Sequence, residues 1–257
     1  MNTVEASAEE QPRLTWRMAA RVFARPQPVT IPMVTLFAII PFYLVIGAFM
    51  SGRTVHVPEV AWDHMIPLDA AWSLVYLSLF LAALLPVFVV HQQELVRRTI
   101  LAFLAIWLAS FACFFAYPTI APQHPRVIVE SFSTWTLRTI WSSDIKYNCF
   151  PSLHVAQCFL AALICYRVHR GVGVVAGVWA FLVAMSTLYT KQHYVLDAIA
   201  GAILACAAYF AIVRGYPREA VPELERRLAP HLALGALAVY GLMVAVMWIA
   251  YANGVVV

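Results

Sequence analysis

The chain alternates between long apolar runs and short polar segments. Seven runs stand out: Val29–Met50, Ala70–Val90, Thr99–Ala116, Ser152–Val168, Val172–Tyr189, Val195–Val213 and His231–Tyr251. About 20 mainly apolar residues suffice for a helix to cross the hydrocarbon core of a bilayer. In that core every backbone polar group must be bonded within the protein, and a helix achieves this within one segment. The pattern therefore predicts an all-α, polytopic membrane helix bundle. The fourth and fifth runs are short and joined by Arg167–Gly171, which predicts an antiparallel pair. Composition agrees: 63% of residues are hydrophobic and 12% charged, against about 25% charged in soluble domains. No internal repeat or linker interrupts the chain, so residues 29–257 read as a single transmembrane domain.

Residues 1–28 read differently. Arg13, Arg17, Arg21 and Arg25 recur every four residues among Leu14, Trp16, Met18, Val22 and Phe23. This spacing puts the arginines on one face of a basic amphipathic helix suited to an anionic membrane surface. Ahead of Leu14 a disordered basic tail is the alternative. The first apolar run is too long for the core of a cleavable signal sequence.

Charge sets the expected orientation. With a cytoplasmic N-terminus, twelve of the seventeen Lys and Arg residues fall inside. They are the four leader arginines, then Arg97, Arg98, Arg167, Arg170, Arg214, Arg218, Arg226 and Arg227. Arg53, Arg126, Arg138, Lys146 and Lys191 fall outside. Positive residues favour the cytoplasmic side, so an integral membrane protein with N-terminus cytoplasmic and C-terminus extracytoplasmic is expected. The net charge of +4 does not indicate nucleic acid, because basic and aromatic residues are not interleaved as in a base-stacking groove. The five cysteines, Cys113, Cys149, Cys158, Cys165 and Cys206, form no CxxC pair and imply no disulfide framework.

Ionisable groups beside membrane spans are costly, which makes them functional candidates. One cluster is Tyr147-Asn148-Cys149-Phe150-Pro151-Ser152-Leu153-His154. Pro151 suits the first turn of a helix, which would put Ser152 and His154 at a helix N-terminus, a natural phosphate site. His154 there could serve as a general acid; a plain helix start with an interfacial histidine is the alternative. The second cluster holds Lys191, Gln192, His193 and Asp197. Four residues apart, His193 and Asp197 would share one helical face. The carboxylate would then fix the imidazole tautomer and leave the other nitrogen free to attack. A self-satisfied His–Asp pair is the alternative, and no HExxH or close second histidine supports a metal site. Both clusters fall on the expected outer face. A weaker group, Tyr117–Arg126, adds His124 and Arg126, the latter able to hold phosphate bidentately. The long loop Pro118–Pro151 contains these residues, with Trp135 and Trp141 expected at the membrane interface.

The pattern Pro-Ser-x-His followed by His-x-x-x-Asp, in this order and span context, resembles the type 2 phosphatidic acid phosphatase superfamily. Tyr-Pro-Thr-x-x-Pro…Arg, Phe-Pro-Ser-Leu-His and Gln-His-Tyr-x-x-Asp are similar to its inositol phosphorylceramide synthase-like branch. The resemblance covers about Thr99–Val213. It implies a six-helix phosphatidic acid phosphatase-type core plus one additional C-terminal span, a catalytic core at about 99–213, and a cofactor-free mechanism. His193 would form a phosphohistidine, Asp197 would orient it, and His154 would protonate the departing oxygen. Arg126, Ser152, Lys191, Gln192 and His124 would bind phosphate or substrate. A membrane lipid, as phosphorylated lipid or phospholipid, would be the substrate, with water or an alcohol as acceptor. Two phosphatase cations are missing, because Thr119 and Thr187 stand at their positions. That loss weakens a monoester site more than a diester site. Two other classes remain: a catalytically silent lipid-binding membrane protein, and a transporter or proton relay. The intact histidine–aspartate set argues against the first. The lack of an inverted repeat, and the placement of these groups at span ends, argue against the second.

Overall fold

The computed structural model describes residues 45, 46, 49, 52–144 and 146–255. The basic leader segment and nearly all of the expected span Val29–Met50 lie outside the described residues. Every regular element among the described residues is helical: α1 (Ala61–Met65), α2 (Trp72–Leu77), α3 (Leu79–Val89), α4 (Gln93–Ala116), α5 (Phe132–Ser143), α6 (Leu153–Val168), α7 (Arg170–Tyr189), α8 (Val195–Ala208) and α9 (Glu223–Ala252). A π-helical turn, Tyr209–Val213, extends α8. Helices α2 and α3 run together as one span, and α4, α7, extended α8 and α9 are each long and apolar enough to cross a membrane. The chain is thus an all-α, polytopic membrane bundle.

The shortest span-like helix organises the rest. Helix α6 has 16 residues, about 24 Å at 1.5 Å per residue. Val155, Leu160, Ile164 and Cys165 along it are fully buried, among α3, α4, α7 and α8. A single residue, His169, separates α6 from α7; its ring Nδ1 accepts the Val172 N–H at 3.2 Å and caps α7. Gly173 lets the hairpin close, because a Cβ there would meet the Tyr166 backbone. This is the antiparallel pair expected from the short link. Outer helices show the opposite pattern. Val174, Val175, Val178 and Phe181 of α7, and Leu242, Val246, Trp248 and Ile249 of α9, are exposed, as suits helix faces solvated by lipid.

Two helices begin earlier than their apolar runs. Helix α4 starts at Gln93 rather than Thr99, and α9 at Glu223 rather than His231. Their polar first turns carry i,i+4 and i,i+3 ion pairs, Glu94–Arg98 and Glu223–Arg226, each at 2.8 Å. Such pairs favour helix beyond the hydrophobic stretch.

The bundle has two distinct ends. At one, Gln92 donates to Glu225 (2.7 Å), Arg98 donates to the Ile212 carbonyl (3.2 Å), and Arg167 donates to the Arg214 carbonyl. At the other, three loops are stitched together. His56 N–H donates to the Pro118 carbonyl (2.8 Å), Ala121 N–H to Lys146 (2.8 Å), and Phe150 N–H to Thr119 Oγ1 (2.8 Å). The loop Pro118–Pro151 is not irregular throughout, since it contains α5, capped by Ser131. Its tryptophans bond to protein carbonyls. Buried Trp135 donates to the Val255 carbonyl (2.7 Å), which brings the C-terminal residues to this end. Trp141 donates to the Thr190 carbonyl (2.9 Å). A half-buried indole N–H needs a partner, and here protein carbonyls supply it.

Candidate active site

Helix α6 starts at Leu153, two residues later than Pro151 as its first residue would put it. The Phe150–Pro151 peptide is cis, and Ser152, not Pro151, begins the helix as its N-cap. Ser152 is fully buried. Its Oγ accepts the Val155 N–H (3.3 Å) and its own N–H donates to the Asp197 carbonyl (2.9 Å). The serine expected to bind phosphate is thus the joint between α6 and α8. Gly201 allows that joint, because a Cβ there would meet the Ser152 carbonyl. His154 follows in the first turn of α6.

The second cluster is not a helical face. Helix α7 ends at Tyr189, and Lys191 adopts φ 56°, a left-handed conformation that stops helices. The Thr187 carbonyl then accepts both the Gln192 N–H (2.9 Å) and the His193 N–H (3.2 Å). Tyr194 is the extended N-cap of α8, so His193 lies before the helix and Asp197 within its first turn. The Asp197 carboxylate folds back: Oδ2 accepts the Tyr194 N–H at 2.9 Å and meets His193 Nδ1 at 3.4 Å. The expected pairing is present, but a helix cap produces it rather than side chains one turn apart. A carboxylate there also suits the positive end of the helix.

The two clusters meet directly. His154 Nδ1 lies 3.0 Å from His193 Nε2. A carboxylate only accepts, so His193 Nδ1–H donates to Asp197. His193 Nε2 then carries the lone pair, and His154 Nδ1–H donates to it. His193 is 4% exposed and Asp197 0%, while His154 is half-buried. The His154 ring also meets the Tyr76 ring edge-on at 5.7 Å, and the Tyr76 hydroxyl donates to Asp144 (3.0 Å).

The remaining expected residues fall into different places. Lys191 Nζ donates to the Ile66 carbonyl (2.5 Å) and reaches that of Asp63 (3.4 Å), so it fastens the 63–66 segment over the site. His124 Nε2–H donates to the Lys191 carbonyl (3.1 Å), and its ring stacks on Trp141 at 4.3 Å. Burial holds its pKa below the ordinary value, partly offset by that hydrogen bond. Gln192 is buried, and its Nε2 has no partner among the described residues. Arg126 is exposed and outside the cavity beside His193.

That cavity, about 640 Å³, is lined by Glu59, Asp63, His64, Gln123, Lys191, His193 and Tyr194 among others. Sequence reasoning missed its acidic wall. Asp63 Oδ1 accepts the Val195 N–H (2.8 Å) across 132 residues of chain, a distance no local pattern encodes. An acid in a short segment between apolar runs was the available signal. Burial first, then the nearby Glu59, Cys149, Asp197 and Asp63 charges, push the Tyr194 hydroxyl up to about 12, so it remains a phenol donor.

The positions lacking phosphatase cations have structural work instead. Fully buried Thr119 bridges the loops through His56 and Asn148. Thr187 holds the turn that carries His193. Among the described residues, one group of metal-ligating type is present: Cys149, His193 and Asp197, all buried, offer ligand atoms within 4.8 Å of one another. Burial, then the Asp197 and Asp144 charges, push the Cys149 thiol well above its ordinary pKa.

No curated protein matches the chain by sequence. Among solved structures it is similar to the crystal structure of Aquifex aeolicus LpxE, at 16% identity and a TM-score of 0.42. The likeness covers 68% of this chain and 94% of that one. A family model described as the PAP2 superfamily matches residues 53–211, which span the loops over the cavity and both histidine clusters. With well over half of its length inside that match, the chain belongs to the PAP2 superfamily.

Proposed function

We propose that the protein is a membrane enzyme of lipid phosphoryl transfer in which His193 is the nucleophile. Membership of the PAP2 superfamily supports a lipid phosphatase-type enzyme. The observation that carries the residue assignment is the unbroken line from Asp197 through His193 to His154. Asp197 accepts the Nδ1–H of His193, which leaves the Nε2 lone pair to attack phosphorus. A phosphohistidine forms as the bond to the leaving oxygen breaks. The anionic phosphoryl group, once bound, favours the imidazolium form of His154, which gives that oxygen its Nδ1 proton. His154 then takes a proton from water or an alcohol, whose oxygen attacks phosphorus and frees His193. Phosphorus enters between two rings that are partners only until it arrives.

A phosphodiester donor with headgroup transfer, as in the inositol phosphorylceramide synthase-like branch, is favoured over monoester hydrolysis. The cavity beside His193 has Glu59 and Asp63 in its wall. Lys191 spends its charge on carbonyls, and two N–H groups at the start of α8 already face carboxylates. A dianionic monoester would be repelled more than a monoanionic diester. Purified protein incubated with a lipid panel, with and without alcohols, tests this by mass spectrometry. A new headgroup lipid is expected; free phosphate from phosphatidic acid alone would reverse the preference.

Orientation is also part of the proposal. The site and the C-terminal residues share one end of the bundle, while Arg97, Arg98, Arg167, Arg170 and Arg214 gather at the other. The positive-inside tendency then puts the site extracytoplasmic. A reporter fused after Val257 should read extracytoplasmic, and a cytoplasmic signal would overturn this. The amphipathic leader at 1–28 and one transmembrane domain from 29 to 257 complete the proposed organisation, with 59–66 added to a catalytic core at 99–213.

A further inference from the structure

We propose that Cys149, His193 and Asp197 form an inhibitory binding site for a soft divalent cation of the zinc class. The inference rests on His193 being the nucleophile.

Three features support it. The ligand set is one sulfur, one imidazole nitrogen and one carboxylate oxygen, all buried and within 4.8 Å of one another. Tetrahedral zinc holds such atoms roughly 3.3–3.7 Å apart, with three protein ligands and an open fourth position. Side-chain rotations of the order of an ångström close the gap. Second, Asp197 Oδ1 is buried and has no hydrogen-bond partner among the described residues, since Oδ2 takes both the cap and the histidine. An unpaired buried carboxylate oxygen is costly, and a cation would satisfy it. Third, His193 lines the 640 Å³ cavity, which gives a hydrated cation a route in. Nothing in the proposed reaction uses Cys149.

Inhibition follows whichever imidazole nitrogen binds. Coordination through Nε2 removes the attacking lone pair. Coordination through Nδ1 moves the ring proton to Nε2, which removes it as well. Zinc(II) replaces one proton, that of the Cys149 thiol, and the thiolate and carboxylate neutralise its charge. A hard cation such as magnesium avoids thiolate and leaves the site alone.

The test uses full-length protein in detergent, stripped of metal. Zinc chloride titrated by calorimetry should bind one to one and abolish turnover, with EDTA restoring it. Zinc-edge X-ray absorption should show one sulfur ligand at about 2.3 Å. Cys149→Ser should keep basal turnover while its zinc inhibition constant rises at least about tenfold. Equal zinc sensitivity in Cys149→Ser, or bound zinc without sulfur, overturns the proposal. If Cys149→Ser fails to fold, the sulfur signature of the wild type decides. If no lipid is turned over, the reading of His193 as nucleophile fails, while calorimetry and absorption still judge the site. Turnover with sulfur-free zinc sinks the site alone.

Discussion

The two ends of the bundle use similar residue types to different effect. At the end bearing Arg98 and Glu94, the ion pairs are local, three or four residues apart on exposed helix turns, and the long-range bonds, Gln92 to Glu225 and Arg98 to the Ile212 carbonyl, only tie helices together. At the other end, polar groups meet across the chain. His154 meets His193 over 39 residues, Asp63 meets the start of α8 over 132, and Trp135 meets Val255 over 120. Exposed local pairs are screened and contribute little. Buried long-range groups depend on every partner, because an unpaired one carries its full desolvation cost. Only the second kind of arrangement brings His154, His193 and Asp197 within hydrogen-bond distance of one another.

Mutations should therefore separate the ends sharply. His193→Ala should lower turnover by at least about 10⁴-fold, as loss of a nucleophile does, while the protein still elutes as folded in detergent; wild-type turnover would remove the proposed nucleophile. Asp197→Asn should cost roughly 10²- to 10⁴-fold in kcat, by analogy with tautomer loss in hydrolase triads. An unchanged kcat would leave Asp197 as a helix cap only. Gly201→Ala should push α8 away from Ser152, lowering both turnover and melting temperature; a neutral result would show that the α6–α8 joint can relax.

His124 provides a pH-dependent test at the same end. Its folded pKa lies below the ordinary value of 6.5, so the unfolded chain takes up the proton first as pH falls. The stability tied to neutral His124 is present above about 6.5 and is lost as pH drops through the lowered folded value. Melting temperature measured from pH 7.5 to 5 should decline, and His124→Gln should flatten the decline. An identical slope in the variant would assign it to other groups. Arg97→Ala, at the opposite end, should leave turnover unchanged and melting nearly so. A large loss there would mean that the ends are coupled.

The helices were legible because membrane spans need long uninterrupted apolar runs, and those runs survive inspection one segment at a time. Their polar first turns were not, since Glu94–Arg98 and Glu223–Arg226 extend helices past the hydrophobic signal. His154, His193 and Asp197 were legible as residues, but not in their geometry. The left-handed Lys191 and the Tyr194 cap put His193 outside the helix that its spacing with Asp197 suggested. Phosphate ligands were the least legible. Ser152, Lys191 and His124 have the right chemistry, yet backbone groups hold all three side chains, those of distant segments for Lys191 and His124. Asp63 and Glu59 show the same limit from the other side, because their place in the cavity wall is set by tertiary contacts alone.

The central claim is that His193 carries the phosphoryl group. Protein mixed with a turned-over lipid and acid-labile-safe quenched within a turnover can be digested and read by mass spectrometry. The expected result is a phosphorus-containing adduct on His193, enriched in His154→Ala if acceptor activation is slowed more than attack, and absent in His193→Ala. An active protein whose adduct sits on another residue, or which turns over with no adduct in wild type or His154→Ala, would contradict the account.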